Sequence, residues 1–294
     1  GGKLLNNQGE EFVERYGNAA EGQGYTTTRD AATYAILKEV EAGRGTPAGG
    51  AWLSFRHVPE DTLRAAYGPI INKLAKAGID LTKQMIEVAP IAHYHMGGIR
   101  VDTDLATDVP GLYAAGEAVG GANGANRLSG NAITEAIAFG LRAGRTAAAD
   151  CPEPPSLQEL EALARPWLQR LAPRHGEPAG LNAAALIEEL QALMQTHVGP
   201  FRTEAGLRQA LGELDALRTR AGDDLPGGGP QDPVRLDTLD LRNMLLVAQA
   251  VTRCALARRE SRGAHQREDH PGQEDAWTLN QTIAWRHGQC TLAN

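Results

Sequence analysis

The fold of this chain is decided by a glycine-rich stretch that reads Gly120-Gly121-Ala122-Asn123-Gly124-Ala125-Asn126-Arg127-Leu128-Ser129-Gly130-Asn131. Residues 112–115 before it have the composition of a short strand, and residues 132–149 after it have that of a helix. A strand that ends in a glycine loop and then leads into a helix is a place where ligands bind an α/β sheet. The reason is that the first turn of a helix offers unpaired N–H groups and a partial positive charge. The stretch therefore predicts an α/β fold with a ligand site at the loop.

Arg127 is the charged residue inside this loop. Gly124 and Gly130 have no Cβ atom, so the backbone there can approach a ligand closely. Amid glycines and alanines the arginine has few local partners, and its planar fork suits a carboxylate. An arginine that braces the loop or faces solvent is the alternative, and the local pattern does not choose between the two.

A second candidate, His93, begins the segment His93-Tyr94-His95-Met96-Gly97-Gly98. If the segment is a strand, His93 and His95 lie on one face, as metal ligands would. We predict no metal site, because no third ligand with a suitable spacing is nearby. A histidine beside two glycines is more often a structural hydrogen-bonding group, and it becomes a candidate donor to an anionic substrate only together with Arg127.

Three regions of the chain differ in composition and sequence pattern, and we interpret them as domains. Residues 1–92 mix short strands with two helices, which we expect at residues 30–40 and 59–77. Residues 93–150 are rich in glycine. Residues 151–294 have the pattern of a mainly helical domain.

Local signals predict several elements within these regions. Strands are expected at residues 3–5, 51–55 and 99–101. Ser156, with Glu159 three residues later, forms a capping box at the start of a helix. A loop rich in glycine and proline at residues 226–230 precedes a long helix with an apolar face, which we expect at residues 241–257.

Composition and charge exclude several classes of protein. With 42% hydrophobic and 22% charged residues, and no apolar run long enough to cross a bilayer, the chain has the composition of a globular protein. Its net charge of −7 argues against broad nucleic-acid binding, which needs a basic surface. Cys151, Cys254 and Cys290 are far apart and form no CxxC motif. We therefore expect neither a disulfide framework nor an iron–sulfur or zinc site, as in a reducing cytoplasm.

The chain begins at Gly1 rather than at a methionine, and no charged and then apolar leader follows it. We therefore expect no secretory signal. We interpret the chain as a fragment of a longer protein.

Three spaced motifs resemble those of the flavoprotein subunits of succinate dehydrogenases and fumarate reductases. They are Ala92-His93-Tyr94-His95-Met96-Gly97-Gly98-Ile99, then Gly111-Leu112-Tyr113-Ala114-Ala115-Gly116-Glu117-Ala118, and then Gly124-Ala125-Asn126-Arg127-Leu128-Ser129-Gly130-Asn131. Shorter matches are Thr28-Arg29-Asp30 and Glu260-Ser261-Arg262-Gly263-Ala264-His265. The resemblance covers essentially the whole chain. It implies the C-terminal half of such a subunit, with a capping domain at 1–92, the C-terminal part of an FAD-binding domain at 93–150 and a mainly helical domain at 151–294.

The resemblance also implies roles for single residues. His93 and Arg127 would hold the carboxylates of a dicarboxylate substrate, and Arg29 would move a proton to or from a substrate carbon. Glu117 would contact the sugar-alcohol part of FAD.

Asn131, Ala132 and Ile133, at the start of the helix after the loop, would contact the flavin. The backbone of Ala132 and Ile133 would face its pyrimidine edge. This agrees with elementary electrostatics, because a reduced flavin carries negative charge near that edge and a helix N-terminus stabilises an anion.

The implied activity is the interconversion of succinate and fumarate. Electrons would pass to or from an iron–sulfur subunit, and through it a membrane anchor and quinone, which implies a cytoplasmic location with possible attachment to the membrane face. L-aspartate oxidase resembles the chain over the same motifs and is an alternative, although Arg127-Leu128-Ser129-Gly130-Asn131 looks more like the dehydrogenase and reductase side. A non-catalytic docking domain is the other alternative, and the joint presence of Arg29, His93 and Arg127 argues against it.

The sequence also departs from the family pattern. No GxGxxG fingerprint, which binds the ADP part of FAD, follows a strand here, and the N-terminal histidine that can carry FAD covalently is absent. We therefore expect the chain alone to hold FAD weakly and to be inactive. The charged segment at residues 260–265 predicts an ion-pair cluster that seats the helical domain near the flavin or a partner protein, with a solvated helix end as the alternative.

Overall fold

A computed structural model describes residues 1–16, 29–150, 155–171, 182–222, 225, 232–286 and 289–293. They form two compact units, Gly1–His93 and Tyr94–Asn294. The side chain of Arg29, Cys151 and the predicted loop at residues 226–230 lie outside the described part. Helices and strands are both present, so the predicted α/β class is confirmed. The predicted boundaries after residues 92 and 150 stay predictions.

The first unit contains an antiparallel three-stranded sheet in the order β1-β2-β3, with strands β1 (Lys3–Leu5), β2 (Ala51–Ser54) and β3 (Ile86–Val88). Helix α1 (Arg29–Glu41) supplies two of the buried apolar side chains of its core, which comprises Phe12, Ala35, Ile36 and Ala51. The turn before β2 requires glycine at residue 50. A Cβ atom on Gly50 would lie 2.3 Å from the carbonyl oxygen of Val88, so this position admits no other residue without a shift of the backbone.

A fully buried carboxylate holds α1 to the segments around it. Glu39 accepts hydrogen bonds from Nε and Nη2 of Arg44, each at 2.8 Å, and from Nη1 of Arg15 at 2.9 Å. The Tyr16 hydroxyl donates at 2.7 Å and the Asn6 amide at 3.1 Å. The hydrogen bonds from Arg44 contribute most to lowering the pKa of Glu39 to about 2, and they outweigh the opposing effect of burial.

Helix α2 (Glu60–Ala75) is kinked in the middle. Tyr67 has non-helical backbone angles, φ −132° and ψ 21°, two residues before Pro69. Proline has no N–H to donate, and its ring collides with the preceding turn, so a bend is expected there. Leu63 and Ile71, one on each side of the bend, are both buried in a second apolar cluster with Leu81, so both halves of the helix contribute to it.

The second unit begins with the glycine-rich region and helix α3 (Asn131–Ala149), which agrees with the helix predicted after the loop. Its side chains Ile133, Ile137 and Leu141 are all more than half exposed and follow each other at a spacing of four residues. The helix therefore presents an uncovered apolar stripe along one side.

The strands predicted at residues 99–101 and 112–115 are wrong. In the described structure Ile99 pairs with Val119, and Tyr113 pairs with Ala106, each in an isolated β-bridge. A strand needs a ladder of hydrogen bonds with its neighbour, and each segment here is paired at one position only. Close backbone contact nevertheless fixes Gly98, since a Cβ atom there would lie 2.4 Å from the carbonyl oxygen of Ala118.

Four helices follow, namely α4 (Leu157–Leu171), α5 (Ala183–His197), α6 (Glu204–Ala221) and α7 (Pro233–Ala257). The predicted capping box before α4 is confirmed. The Ser156 amide donates to Oε2 of Glu159 at 2.8 Å, and the Glu159 amide donates to Oγ of Ser156 at 3.3 Å. Helix α7 begins eight residues before the predicted start, because Asp232 caps it and Pro233 occupies its first position.

The last three of these helices pack around a common core, with fully or almost fully buried Leu190, Leu207, Leu214, Leu217, Leu241 and Leu245. The two short parallel strands β4 (Phe201–Arg202) and β5 (Gln266–Arg267) pair beside them. The chain then forms an antiparallel hairpin of β6 (Thr282–Arg286) and β7 (Gln289–Ala293), which the prediction of a mainly helical domain did not include. Among the described residues, no helix is long and apolar enough to cross a membrane.

Candidate functional site

The N-terminus of α3 is open to a ligand. Gly130, which precedes the helix, has φ +93° and offers no side-chain cap. Among the described residues, the backbone amides of Ala132 and Ile133 have no acceptor, whereas that of Asn131 donates to the carbonyl of Leu128 at 3.3 Å. The first turn therefore presents free N–H donors at the positive end of the helix dipole.

Arg127 lies over an aromatic ring. Its Cζ atom is 4.4 Å from the centroid of Tyr94, within the range of a cation–π contact. Nη1 donates to the carbonyl of Leu128 at 3.1 Å, while the buried Nε has no acceptor in the described part of the chain. A buried donor without a partner is unfavourable, so this guanidinium is suited to an acceptor that a ligand supplies.

A buried carboxylate fixes the hydroxyl end of Tyr94. Glu135, in the second turn of α3, accepts from the Tyr94 hydroxyl at 3.0 Å and from Nδ2 of Asn123 at 2.7 Å. Asn123 also donates to the Tyr94 hydroxyl at 3.2 Å. Burial, followed by the charge and hydrogen bond of Glu135, raises the pKa of Tyr94, so the phenol stays protonated.

Tyr94, Asn123 and Glu135 are not among the site residues predicted from the sequence. Glu135 offered one signal, because it is a charged residue within the otherwise apolar run Ala132-Ile133-Thr134-Glu135-Ala136-Ile137-Ala138-Phe139. A carboxylate within such a run is either solvated or bound by a specific partner, and only the structure identifies Tyr94 and Asn123 as those partners.

Glu117 lies in a short 3₁₀ turn, Gly116–Ala118, and is exposed. Its Oε1 accepts from the backbone amide of His95 at 2.9 Å. Its second oxygen has no partner among the described residues and can accept from a ligand hydroxyl.

The charged segment at residues 260–265 fixes the glycine-rich loop that contains Arg127. The amide of Ala264 donates to the carbonyl of Ala125 at 2.8 Å. Gly263, with φ +57°, allows this approach, since a Cβ atom there would lie 2.5 Å from the same oxygen. The chain before Arg127 is thereby fixed by a segment more than 130 residues further along.

The predicted ion-pair cluster is present in this segment. Glu260 is fully buried and accepts from Nη1 of Arg258 at 2.6 Å, from Nε and Nη2 of Arg262 at 2.9 and 3.0 Å, and from the amide of Glu274 at 3.0 Å. Burial by itself would raise the pKa of Glu260, but these donors, Arg262 foremost, lower it to about 2. The cluster fixes the segment that supports the loop.

His265 in the same segment is a neutral structural histidine. One ring nitrogen, Nδ1, faces Nη1 of Arg202 at 2.9 Å, and the other, Nε2, faces the carbonyl of Arg258 at 3.2 Å. Burial, followed by the charge of Arg202, lowers the pKa of His265 to about 4. Nδ1 therefore accepts from Arg202, and Nε2 carries the proton.

Arg29 and His93, the other two residues with predicted substrate roles, belong to the first unit. Arg29 is the first residue of α1, and His93 is exposed at the end of the unit. Their roles stay predictions, as do those of Arg127, Glu117, Asn131, Ala132 and Ile133.

FAD, the cofactor that the resemblance implies, fits the residues present. The free amides of Ala132 and Ile133 suit the negative edge of a reduced flavin. The unpartnered oxygen of Glu117 suits a sugar-alcohol hydroxyl.

One group of possible metal ligands occurs among the described residues, formed by Glu204, Asp269 and His270 with ligand atoms within 4.8 Å of one another. Asp269 is already bound by Nε and Nη2 of Arg267, at 2.7 and 2.9 Å. Because this ion pair neutralises its charge, the group is better explained as structural.

Comparison with protein families gives two matches along the chain. The model described as an FAD binding domain matches residues 1–133, and the model described as the fumarate reductase flavoprotein C-terminus matches residues 187–293. The first match confirms FAD as the predicted cofactor. Together they confirm an FAD-binding part followed by a helical C-terminal domain.

Individual relatives agree with these matches. A fumarate reductase (CoM/CoB) chain of Methanothermobacter marburgensis is 37% identical over 278 residues, which cover 94% of this chain and 50% of the relative. L-aspartate oxidase of Rhodospirillum rubrum is 34% identical over 281 residues, which cover 93% of this chain and 87% of the relative. The structure of E. coli quinol fumarate reductase superposes with a TM-score of 0.84 at 31% identity, over 100% of this chain and 54% of that one. This chain spans about half the length of the fumarate reductase relatives that it matches.

Proposed function

Because this chain belongs to the flavoprotein family that comprises succinate dehydrogenases, fumarate reductases and L-aspartate oxidases, we propose that it is part of an FAD-dependent enzyme that interconverts succinate and fumarate. The observation that carries the proposal is the state of Arg127. Its guanidinium is held over Tyr94 beside the open helix N-terminus, and its buried Nε has no acceptor among the described residues. A carboxylate of the substrate supplies that acceptor.

In this proposal two residues orient the dicarboxylate. Arg127 binds one carboxylate through its fork of N–H groups, and His93 donates to the other. Holding both ends of a small substrate fixes the alkene carbons relative to the groups that react with them. Orientation of this kind lowers a barrier by several kcal/mol, and by about 7–11 kcal/mol when the alignment is ideal.

Arg29 is proposed to move the proton. During fumarate reduction one alkene carbon gains a hydride, and its neighbour, which becomes strongly basic, takes a proton. A guanidinium, with a pKa above about 12, is a poor donor to ordinary bases but can protonate such a carbon. A second acid then has to restore the proton to Arg29. The oxidation of succinate reverses these steps.

The cofactor would be held by Glu117 and by the start of α3. Glu117 would accept from the sugar-alcohol hydroxyls, while Asn131, Ala132 and Ile133 would contact the flavin. When bound, FAD supplies or accepts the hydride. The amides of Ala132 and Ile133 stabilise negative charge at its edge.

The partners follow from the same proposal. Electrons pass to or from an iron–sulfur subunit, and through it a membrane anchor and quinone, at the cytoplasmic face of the membrane. The quinone is supported by one structural relative, which is a quinol fumarate reductase.

L-aspartate oxidase is the second candidate function. It is favoured by the Rhodospirillum rubrum relative, of which this chain covers 87%. Both activities need an anion-binding arginine, so Arg127 does not discriminate between them, and the substrate has to be tested directly.

The test uses the complete flavoprotein with succinate, fumarate and L-aspartate side by side. Reduction of fumarate and oxidation of succinate are expected to exceed oxidation of L-aspartate. Arg127→Lys, which keeps the charge but loses the fork, is expected to lower kcat/KM by at least about tenfold. The control Arg142→Lys, at an arginine paired with Asp104 on the surface, leaves it unchanged. Preference for L-aspartate would select the second function, and absence of any turnover would leave a docking role.

A further inference from the structure

A cavity of about 560 Å³ lies among the helices of the second unit, where the first turns of α6, the last turns of α7 and the β6–β7 hairpin meet. Much of its wall is apolar, with Leu211, Leu256, Trp277, Ile283 and Leu292. This volume is within the range of small-molecule sites, roughly 300–1,000 Å³. None of the residues proposed to bind the dicarboxylate or FAD contributes to it.

The charged residues that line this cavity are mostly positive. Three arginines line it, Arg208, Arg253 and Arg259, against a single carboxylate, Glu204. Nε and Nη2 of Arg208 both donate to Oε1 of Glu204, at 2.9 and 2.7 Å, so this carboxylate is already engaged. Arg253 and Arg259 form no salt bridge within the described residues. The cavity therefore carries an excess of positive charge in a chain whose net charge is −7.

Arg253 has a buried hydrogen-bond donor that lacks an acceptor in the described part of the chain. Its Nε is buried and has no hydrogen-bond partner among the described residues. Burial of an unpaired donor is unfavourable in a folded protein. Arg259 is exposed at the rim of the same cavity. An anion between these two guanidinium groups would satisfy Nε of Arg253 and part of the local charge.

We propose that this cavity binds an amphiphilic anion, a carboxylate or phosphate attached to an apolar group of several carbons. The charged group lies between Arg253 and Arg259, and the apolar group lies against Trp277, Ile283 and Leu292. An apolar group of this size distinguishes the ligand from succinate and fumarate, which have none.

Calorimetric titration of the complete flavoprotein with octyl phosphate, octanoate, inorganic phosphate and 1-octanol tests the proposal. Octyl phosphate or octanoate is expected to bind at least about tenfold more tightly than inorganic phosphate and 1-octanol, and their order identifies the preferred anion. Arg253→Gln and Arg259→Gln are each expected to weaken that binding by about tenfold or more. Arg220→Gln, at an arginine of α6 that pairs with Glu189 and does not line the cavity, is the matched control.

Alkylation of Cys290 by iodoacetamide provides a second measurement, because this residue lines the cavity. Octyl phosphate is expected to slow the labelling of this residue, as followed by peptide mass spectrometry, and inorganic phosphate is not. The proposal is overturned if 1-octanol binds as tightly as the better of octyl phosphate and octanoate, if that better ligand does not protect Cys290, or if neither arginine variant weakens its binding. If Arg253→Gln does not fold, the exposed Arg259 still decides the question.

Discussion

The guanidinium of Arg127 lies over the ring of Tyr94, with 4.4 Å between its Cζ atom and the ring centroid. Tyr94 in turn donates its hydroxyl to Glu135, which is buried in α3. The ring covers one face of the guanidinium and leaves its edge for acceptors. The position of the proposed substrate arginine therefore depends, through Tyr94, on a buried carboxylate.

Removal of the Tyr94 ring should loosen Arg127. In the complete flavoprotein, Tyr94→Leu is expected to weaken dicarboxylate binding by about fivefold to tenfold, the value of a cation–π contact near 1 kcal/mol. Tyr94→Phe keeps the ring under Arg127 and should have the smaller effect. The KM for fumarate measures both, with Tyr113→Phe as a control at a half-buried tyrosine whose hydroxyl donates to Asp150. Equal effects of the two changes would show that stacking does not position Arg127.

Arg29→Gln tests the proposed proton transfer. The variant should lose nearly all of kcat in the complete flavoprotein, while its FAD content and dicarboxylate affinity stay close to normal. Arg56→Gln, at an exposed position of the same unit, is the control. Retention of more than about a tenth of kcat, a loss of only about 1.4 kcal/mol of transition-state stabilisation, would contradict the role.

FAD binding by this chain alone should be weak, because the sequence has no fingerprint for the ADP part of the cofactor. Gel filtration of the refolded chain with excess FAD is expected to separate protein from flavin. Co-elution of about one flavin per chain would show that residues 1–294 contain a sufficient site.

Features that depend on residues close in sequence could be predicted here. Features that depend on partners far away in sequence could not. The capping box of Ser156 and Glu159 and the helix after the glycine loop depend on neighbours a few residues apart, and both were predicted correctly. The segments around Ile99 and Leu112 have strand-like composition. Whether they form strands depends on pairing with distant segments, which composition does not report.

The buried carboxylates show the same limit at the site. Tyr94 and Glu135 are 41 residues apart, and Asn6 and Glu39 are 33 residues apart. A glutamate inside a helix is usually solvated, so the sequence alone gives no reason to place either one in the interior. The segment after α7 was correctly predicted to form a cluster of ion pairs, because it is dense in charge and matches a family motif.

The substitution Glu39→Gln should lower the free energy of unfolding of the first unit. Loss of the charge weakens the hydrogen bonds from Arg44 and Arg15, whose side chains are 29% and 41% exposed, at a cost of about 1–3 kcal/mol. Urea unfolding followed by the fluorescence of Trp52, the only tryptophan of residues 1–93, measures the change. Glu41→Gln, on the same helix but largely exposed, should alter the free energy of unfolding by less than about 0.5 kcal/mol. Similar values for both would mean that the buried cluster contributes little.

His265 should make the second unit sensitive to mild acid. Its pKa is about 4 in the folded chain, against an ordinary 6.5, because burial and Arg202 disfavour the charged form. As the pH falls, His265 of the unfolded chain takes up a proton before that of the folded chain. The free energy of unfolding is therefore highest above pH 6.5 and decreases between pH 6.5 and pH 4. The expected loss over this whole window is about 3 kcal/mol, and about 2 kcal/mol of it is present at about pH 5.

Urea unfolding at about pH 7.5 and about pH 5, followed by helical circular dichroism, measures this dependence. The comparison stays above the range in which Glu39 and Glu260 titrate. His265→Gln should flatten the dependence, and His57→Gln, in the first unit, should not. An equally steep loss in His265→Gln would assign the effect to another group.

The uncovered stripe of Ile133, Ile137 and Leu141 on α3 has a consequence for the handling of this polypeptide. A row of large apolar side chains facing water favours self-association and capture by chaperones. Expressed by itself, the chain should therefore tend to precipitate as its concentration rises, whatever the quality of its interior. A fusion partner that covers α3 would be a more effective remedy than substitutions in the core.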